Sequence, residues 1–279
     1  MRFAFKTSPQ DTTWAAMLEV WRAADDIEVF ESGWTSDHFY PLHDSDPAGP
    51  RLEGWTTLTA LAQATRRLRL GTLVTDVHYR HPAVLANMAA TVDIVSGGRL
   101  ELGVGAGWNE QESGAYGIDL GTPAQRSDRL EEACEVLTGL LSPQQTTTFK
   151  GRYYDLTDAR CNPKPVQQPH PPICVGGNGE KRTLRTAARF AQHWNFEGGT
   201  PGQFSRARDV LHQHCADVGR DPAQILLSSQ VRFTGGPAET AAEAAALGAA
   251  GVELVIVSLP PPHTPAVLEP LASALSKLA

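Results

Sequence analysis

The chain has 279 residues, of which 41% are hydrophobic and 20% charged, with a formal net charge of -7. This composition suits a globular protein with a sizeable core, and the acidic balance argues against binding to a nucleic-acid backbone. No apolar stretch approaches the roughly 20 residues of a membrane-spanning helix, and the N-terminus lacks the apolar core of a signal peptide, so we expect a cytoplasmic protein that binds no membrane.

Short apolar or β-branched runs alternate along the chain with longer segments of helical periodicity, which is the pattern of βαβ units. Several runs are apolar over most of their length, as in strands that are buried on both faces. The pattern predicts eight strands: Arg2–Thr7, Ser32–Ser36, Arg69–Thr75, Arg99–Val104, Ile173–Gly176, His193–Phe196, Ile225–Arg232 and Val252–Ser258.

Helical segments lie between these strands. The clearest begins at Thr122, where an N-cap threonine, a proline in the first turn and Gln125 form the pattern of a capping box. Other predicted helices run from Pro82 to just before Gly97, from Glu180 to Ala191, and from Pro237 to Gly248.

Eight strands separated by helices in a chain of this length predict an α/β fold, a (β/α)₈ TIM barrel that occupies residues 1–279 as a single domain. An open, doubly wound sheet is the rival, but no G-x-G-x-x-G follows the first strand. Residues 142–172 interrupt the alternation and predict an insertion after the fourth strand, with a small hairpin.

Polar residues just past the strand ends line the active site of such a barrel. Asp37 and His38 follow the second strand, and because side chains alternate, only one of them points straight into the barrel mouth. The reference pKa of histidine, near 6.5, suits His38 to proton transfer, and capping of the next loop is the alternative role.

Two glycine-rich segments also follow strands. The segment 176–179 precedes a helix, so its backbone N–H groups could bind an anion, although a simple tight turn has the same composition. Around Gly105, spaced glycines are typical of close approach by a flat ring, on which Trp108 could stack; a core tryptophan is the alternative.

Cysteine and histidine patterns give little support for metal or disulfide chemistry. A metal site from Asp37, His38 and His43, with His78, lacks the close histidine pairing of metal barrels, so no metal is expected. The cysteines form no CxxC pair and are expected to be buried thiols: Cys134, Cys161, Cys174 and Cys215.

Together, these segments resemble the luciferase-like monooxygenase superfamily, and within it the F420-dependent oxidoreductases. The matching motifs occur in the family's order and extend over about residues 1 to 235. They are WTSDHF at 34–39, LGTLV at 70–74, YRHP at 79–82, DIVSGGRL at 93–100, LGVGAGW at 102–108, FKGRYY at 149–154 and CVGGNGEK at 174–181.

The resemblance implies a barrel with a flavin-type cofactor at the carboxyl ends of its strands: coenzyme F420, or alternatively FMN. In F420-dependent relatives an aspartate and a histidine after the second strand contact the deazaflavin, and Asp37 and His38 match them. The third strand of relatives has a bulge with a non-proline cis peptide behind the ring. The other implied cofactor-binding residues are Leu73, Val74 and Thr75 in this bulge, then Gly105, Asn109, Gly176, Gly177 and Asn178.

The expected function is F420-dependent hydride transfer to or from a small organic substrate, with His38 as the catalytic residue and Asp37 or Asn109 as its partner. An FMN-dependent monooxygenase, supplied with reduced cofactor by a separate reductase, and a non-catalytic flavin-binding barrel are the alternatives. The resemblance also implies a homodimer, which we expect to be built from the early helices.

One position departs from the family. Some of its sugar-phosphate dehydrogenases have a catalytic glutamate just after the glycine-rich fourth strand, where this chain has Trp108. Glu110 or Glu112 is left as a substitute. The sequence also shows no cluster of lysine and arginine for a substrate phosphate, so sugar-phosphate oxidation is not expected.

Overall fold

The structure is a computed structural model that describes residues 1–42 and 45–279. Its strands are β1 (Arg2–Thr7), β2 (Phe30–Thr35), β3 (Arg69–Thr72), β4 (Thr75–Asp76), β5 (Leu100–Gly105), β6 (Thr147–Lys150), β7 (Asp155–Ala159), β8 (Ile173–Gly176), β9 (His193–Phe196), β10 (Leu226–Arg232) and β11 (Leu254–Leu259). Its helices are α1 (Trp14–Asp25), α2 (Gly54–Ala64), α3 (Pro82–Ser96), α4 (Glu110–Ala115), α5 (Pro123–Leu141), α6 (Thr183–Phe190), α7 (Pro201–Asp217), α8 (Pro237–Ala249) and α9 (Leu268–Leu275).

The parallel strands close into a barrel. They are hydrogen-bonded in the order β3-β2-β1-β11-β10-β9-β8-β5-β4, and an additional pairing of β3 with β5 closes the circle. β3 and β4 are two halves of the third barrel strand. The predicted (β/α)₈ TIM barrel is therefore confirmed.

The sequence predicted one continuous third barrel strand, Arg69–Thr75. In the structure this strand breaks between Thr72 and Thr75. The break contains a non-proline cis peptide between Leu73 and Val74, within the segment where the family resemblance implies one. The other predicted barrel strands are present within two residues of their predicted bounds.

Local capping signals fix most of the predicted helices. Thr122 and Gln125 form the predicted capping box at the start of α5, and α3 ends at Gly97, which adopts a left-handed conformation with φ of 70°. α6 begins at Thr183, three residues after the predicted start, because residues 180–182 form a turn and Arg182 supplies no capping side chain.

No helix of the described part of the chain is long and apolar enough to span a membrane.

The insertion after the fourth barrel strand contains the predicted hairpin. β6 and β7 pair antiparallel, and the proline-rich segment that follows leads into β8. The outer faces of the barrel strands pack against the helices in the main core. A small apolar cluster fills the barrel interior and consists of Ala4, Trp34, Leu73, Cys174, Leu254 and Ile256. The four cysteines are buried and free, as predicted.

An ionic cluster lies inside the barrel near the amino-terminal ends of the strands. Glu101 accepts hydrogen bonds from Arg69 at 2.7 Å and from the Nδ1 of His193 at 2.9 Å. Although burial opposes ionisation, His193 and Arg69 lower the pKa of Glu101 to about 2. Burial also opposes the charge of His193, but Cys174 and Glu101 raise its pKa to about 10. The pair is thus ionised inside the barrel across the neutral range.

Candidate functional site

The break in the third barrel strand directs Val74 into the barrel mouth. Its γ-methyl groups lie 2.6 Å from the position that a Cβ would take on Gly105, and 2.8 Å from that position on Gly176. Because no side chain fits at either place, both glycines are required by the packing of Val74. The sequence interpretation explained these glycines by the close approach of a cofactor. The packing of Val74 is a second reason why neither position can hold a side chain.

Asp37 lies at the end of β2 and is almost completely buried. Arg80 donates two hydrogen bonds to its carboxylate, at 2.6 and 3.1 Å. Burial raises the pKa of Asp37, and the charge of Arg80 opposes that rise. Asp37 therefore pairs with Arg80 and not with His38.

His38, which follows the second barrel strand, contacts a buried carboxylate that follows the fourth barrel strand. Its Nδ1 lies 2.6 Å from Oε2 of Glu112, and Tyr79 donates its hydroxyl hydrogen to the same oxygen at 2.5 Å. The backbone N–H of Phe39 donates to the other oxygen of Glu112. These contacts join the segment after β2 to the helix after β5, so the partner of His38 is Glu112 and not Asp37 or Asn109.

Asn109 acts on this arrangement through the helix that carries Glu112. It is the N-cap of α4, and its side-chain oxygen accepts a hydrogen bond from the backbone N–H of Glu112 at 3.0 Å. This cap holds the first turn of the helix, so Asn109 positions Glu112 beneath His38. Glu110, the other candidate for the family's glutamate, is exposed and pairs with Arg126 at 3.1 Å.

The charge of Glu112 determines the tautomer of His38. Burial alone raises the pKa of Glu112, but the hydrogen bonds from His38, Tyr79 and Phe39 outweigh it and lower the pKa to about 2. A carboxylate has no hydrogen to donate, so Nδ1 of His38 carries one and donates it. Nε2, for which the described residues provide no partner, is then available to accept or donate a proton.

Aromatic side chains form a wall beside His38. The ring of Trp108 lies 5.7 Å from the His38 ring, and the ring of Phe39 lies 4.6 Å from Tyr79 and 4.4 Å from Tyr116. Trp108 is 52% exposed, so the alternative of a core tryptophan is wrong. The exposed rings of this wall, Trp108 and Tyr116, suit a flat or apolar ligand near the histidine.

The glycine-rich turn after β8 is partly committed to the barrel itself. The N–H of Gly177 donates to the carbonyl oxygen of Asn195 at 3.1 Å, and Gly177 has a φ of 122°, which favours glycine. Asn178 accepts a hydrogen bond from the N–H of Glu197. The backbone donors that remain at this turn belong to the start of α6, which has no side-chain cap.

The carboxylate of Asp76 at the barrel mouth indicates whether these residues fit a flavin-type ring. Oδ2 of Asp76 is buried without a partner among the described residues, next to Gly107, where a Cβ would come within 2.1 Å of it. A buried acceptor without a donor is costly unless a ligand supplies one. Together with the free nitrogen of His38 and the exposed Trp108, this acceptor fits a planar cofactor with N–H groups.

Sequence interpretation missed three residues of the mouth. Arg80 and Arg51 bind the segment after β2: Arg51 donates to the carbonyl oxygen of His38 at 2.8 Å and to Ser36 at 2.7 Å. Lys6 lies at the end of β1 and donates to Gln230 at 3.0 Å. The signal for Lys6 was present, because it lies on the same strand face as Ala4, which faces the barrel interior.

The metal alternative has no further support. His43 lies outside the described residues, and residues 1–42 and 45–279 contain no group of three or more side chains that could hold a metal ion. His78 instead pairs with Asp76 at 2.7 Å.

Several known proteins are similar to this chain. A phthiodiolone/phenolphthiodiolone dimycocerosates ketoreductase from Mycobacterium kansasii is 31% identical over 217 residues, 71% of this chain and 58% of that protein. The ketoreductase of the same description from Mycobacterium tuberculosis H37Ra is 35% identical over 176 residues, 62% of this chain and 45% of that protein. The chain therefore matches less than two thirds of the length of these relatives.

Solved structures share the fold. An F420-dependent secondary alcohol dehydrogenase, in complex with an F420–acetone adduct, superposes with a TM-score of 0.83 at 19% identity, covering 98% of both chains. The coenzyme F420-dependent tetrahydromethanopterin reductase of Methanopyrus kandleri gives 0.75 at 19% identity, covering 98% of this chain and 96% of that one. A monooxygenase from Streptomyces bottropensis gives 0.81 at 18% identity, covering 100% and 99%.

The model of one protein family, described as luciferase-like monooxygenase, matches residues 1–275. That match covers the barrel strands, the insertion and the segments that carry His38 and Glu112. The chain belongs to the luciferase-like monooxygenase family.

Proposed function

We propose that the chain is an F420-dependent oxidoreductase that transfers hydride between the deazaflavin and a carbonyl or alcohol substrate at the barrel mouth. The observation that carries the proposal is the pair of His38 and Glu112, 2.6 Å apart, at the carboxyl ends of the strands. The descriptions of relatives support it, because they include ketoreductases and an F420-dependent alcohol dehydrogenase.

The cofactor-binding residues fall into two groups under this proposal. Leu73, Val74 and Thr75 would support the ring from the break in the third barrel strand, with Asp37, His38, Gly105 and Asn109 at its edge. Gly176, Gly177 and Asn178 lead into α6, whose uncapped N-terminus would hold the phosphate-bearing tail. Since the Gly177 N–H is already bonded, the donors for this tail come from the residues that follow it.

A bound deazaflavin supplies the hydride chemistry. The protein supplies the proton: when hydride adds to a carbonyl carbon, the carbonyl oxygen takes a proton from Nε2 of His38. The carboxylate of Glu112 accepts the hydrogen bond from Nδ1 and fixes the orientation of the ring. In the direction of alcohol oxidation, neutral Nε2 accepts the hydroxyl proton.

An FMN-dependent monooxygenase, with a separate reductase as partner, is the second candidate. The exposed ring of Trp108 beside His38 can stack on the ring of FMN as well as on a deazaflavin. A riboflavin lyase with a modified FMN also shares the fold, with a TM-score of 0.70 at 17% identity, over 88% of this chain and 65% of that one.

Titration of the purified protein with F420 and with FMN, followed by visible absorbance, tests the proposal. We expect saturable binding of F420 and oxidation of reduced F420 by a panel of ketones. Binding of FMN alone would assign the second candidate, and binding without any turnover would leave a non-catalytic flavin-binding barrel.

We also propose a homodimer built from the early helices. Exposed apolar side chains support it: Trp14 on α1, and Val84 and Ile94 on α3, are 39%, 55% and 38% exposed. Sedimentation at micromolar concentration should give the mass of a dimer, and a monomer at that concentration would contradict the proposal.

A further inference from the structure

The register of three neighbouring strands places two cations at one level of the barrel mouth. β11 lies between β1 and β10, and Ser258 of β11 is the register partner of Lys6 on one side and of Arg232 on the other. The order along this row is therefore lysine, serine, arginine. The three residues come from distant parts of the sequence and meet only because the barrel closes.

The row faces the interior of the barrel. Ala4 and Ile256 belong to the interior cluster, and they precede Lys6 and Ser258 by two residues, so all four lie on the same strand faces. The Lys6 ammonium donates to Gln230, two residues before Arg232. Gln230 in turn donates to Asn195 at 3.0 Å, which continues the interior network.

The two cations make few hydrogen bonds within the described part of the protein. Lys6 uses one of its three N–H groups, and the described residues offer Arg232 neither a hydrogen bond nor an ion pair. Burial chiefly lowers the pKa of Lys6, to about 8. The charge of Glu197 opposes this effect and is stronger than the charge of either Arg51 or Arg232, each of which lowers the pKa further. Lys6 and Arg232 repel each other, so an anion bound between them would be favoured.

Arg51 connects this row to His38. Its guanidinium donates to the carbonyl oxygen of His38 and to Ser36, and its charge reaches Lys6. These hydrogen bonds occupy Arg51, whereas Lys6 and Arg232 keep N–H donors that the described residues do not use. A substrate with its reacting carbon at His38 would extend its far end toward them.

We propose that Lys6, Ser258 and Arg232 form a subsite for an anionic substituent of the substrate, a carboxylate or a phosphate. This inference rests on the proposed function and deepens it, because it restricts the carbonyl or alcohol substrate to one that carries a negative charge. The subsite corrects the sequence interpretation, which found no cluster of lysine and arginine. It is separate from α6, which is proposed to hold the cofactor tail.

Calorimetric titration with acetate and with inorganic phosphate tests the subsite on the protein with and without bound F420. We expect binding of at least one anion in both forms, weakened about tenfold or more in Lys6→Met and in Arg232→Met, because each removes a charge-assisted donor. The exposed Lys277→Met and Arg22→Met are matched controls that should bind as the wild type does. Acetate or phosphate preference identifies the substituent.

Three results would overturn the subsite: no binding of either anion at millimolar concentration, equal weakening in the controls, or displacement of the anion by F420. Cofactor affinity, measured by visible absorbance, separates this inference from the proposed function. Anion binding that persists in a protein unable to bind F420 or FMN would refute the proposed function alone. F420 binding without anion binding would refute the subsite alone.

Discussion

At the residue scale, the proton chemistry depends on the free nitrogen of His38. Replacing His38 by Ala removes that nitrogen, and a positioned acid or base contributes about 10²- to 10⁴-fold in rate. We expect turnover to fall by about that factor at saturating cofactor, with a smaller change in cofactor affinity. Stopped-flow oxidation of reduced cofactor by a ketone measures the step, and equal rates in the two proteins would make His38 a pocket residue only.

Glu112 is a second single residue that is expected to affect turnover, and it does so through His38. Glu112→Gln keeps the size of the side chain but removes the carboxylate that orients the imidazole, so turnover should fall by roughly 10²-fold while F420 binds as before. Glu110→Gln is the control, because Glu110 is exposed and contacts Arg126. A turnover that is insensitive to Glu112→Gln would show that the pair of His38 and Glu112 is structural.

At the element scale, the third barrel strand and its neighbours are fitted to each other through Val74. In Gly176→Ala the new Cβ would lie 2.8 Å from Cγ1 of Val74, and overpacking of this kind costs about 1–3 kcal/mol of unfolding free energy. Adding Val74→Ala to that variant should recover part of the loss, because the smaller side chain makes room.

Gly114→Ala on α4 is the control for this prediction. No atom lies within 4 Å of its new Cβ, and alanine favours a helix, so stability should stay equal or rise. Denaturant unfolding of all four proteins measures the effects. If Gly176→Ala is as stable as wild type, the packing around Val74 is looser than its distances indicate.

The same scale shows what the sequence could predict. The barrel strands and the start of α5 depend on local signals, namely apolar runs and a capping box, and both were predicted. The start of α6 was predicted three residues early, because Glu180, Lys181 and Arg182 favour helices by composition but form a turn here. The partner of His38 was missed, since the pairing with Glu112 depends on how the segments after β2 and β5 approach each other.

At the scale of the whole molecule, the ion pair inside the barrel contributes to stability. Glu101→Gln would leave the buried charge of His193 without its carboxylate, and removing one partner of a buried pair costs about 3–5 kcal/mol. We expect a loss near the lower value, because glutamine keeps a hydrogen bond to His193. The free energy of unfolding, measured by denaturant titration, checks this.

The pH dependence of that loss follows from the two pKa values. The folded pKa of Glu101 is depressed to about 2 from 4.5, so its contribution is present above pH 4.5 and is lost as pH falls toward 2. The pKa of His193 is raised from 6.5 to about 10, so its contribution is complete below pH 6.5 and is lost as pH rises through 10. The difference between wild type and Glu101→Gln should therefore be largest between those limits, and a constant difference would contradict the ion pair.

The whole barrel also determines which parts of the site were visible in the sequence. Asp37, His38 and the glycines stand in short motifs that the chain displays directly. Lys6, Ser258 and Arg232 are single residues in three separate strands, and no motif joins them. Only the order β1-β11-β10 and its register bring them together.

That order has a consequence for the chain as it emerges from the ribosome. β1 is synthesised first, yet one of its edges is completed only by β11, the last strand of the barrel. Until residues 254–259 have left the exit tunnel, the nascent protein has an open sheet edge, which can pair with other chains. A premature stop codon shortly before this strand would therefore release a product that holds most of its residues, lacks Ser258, and is a target for chaperones.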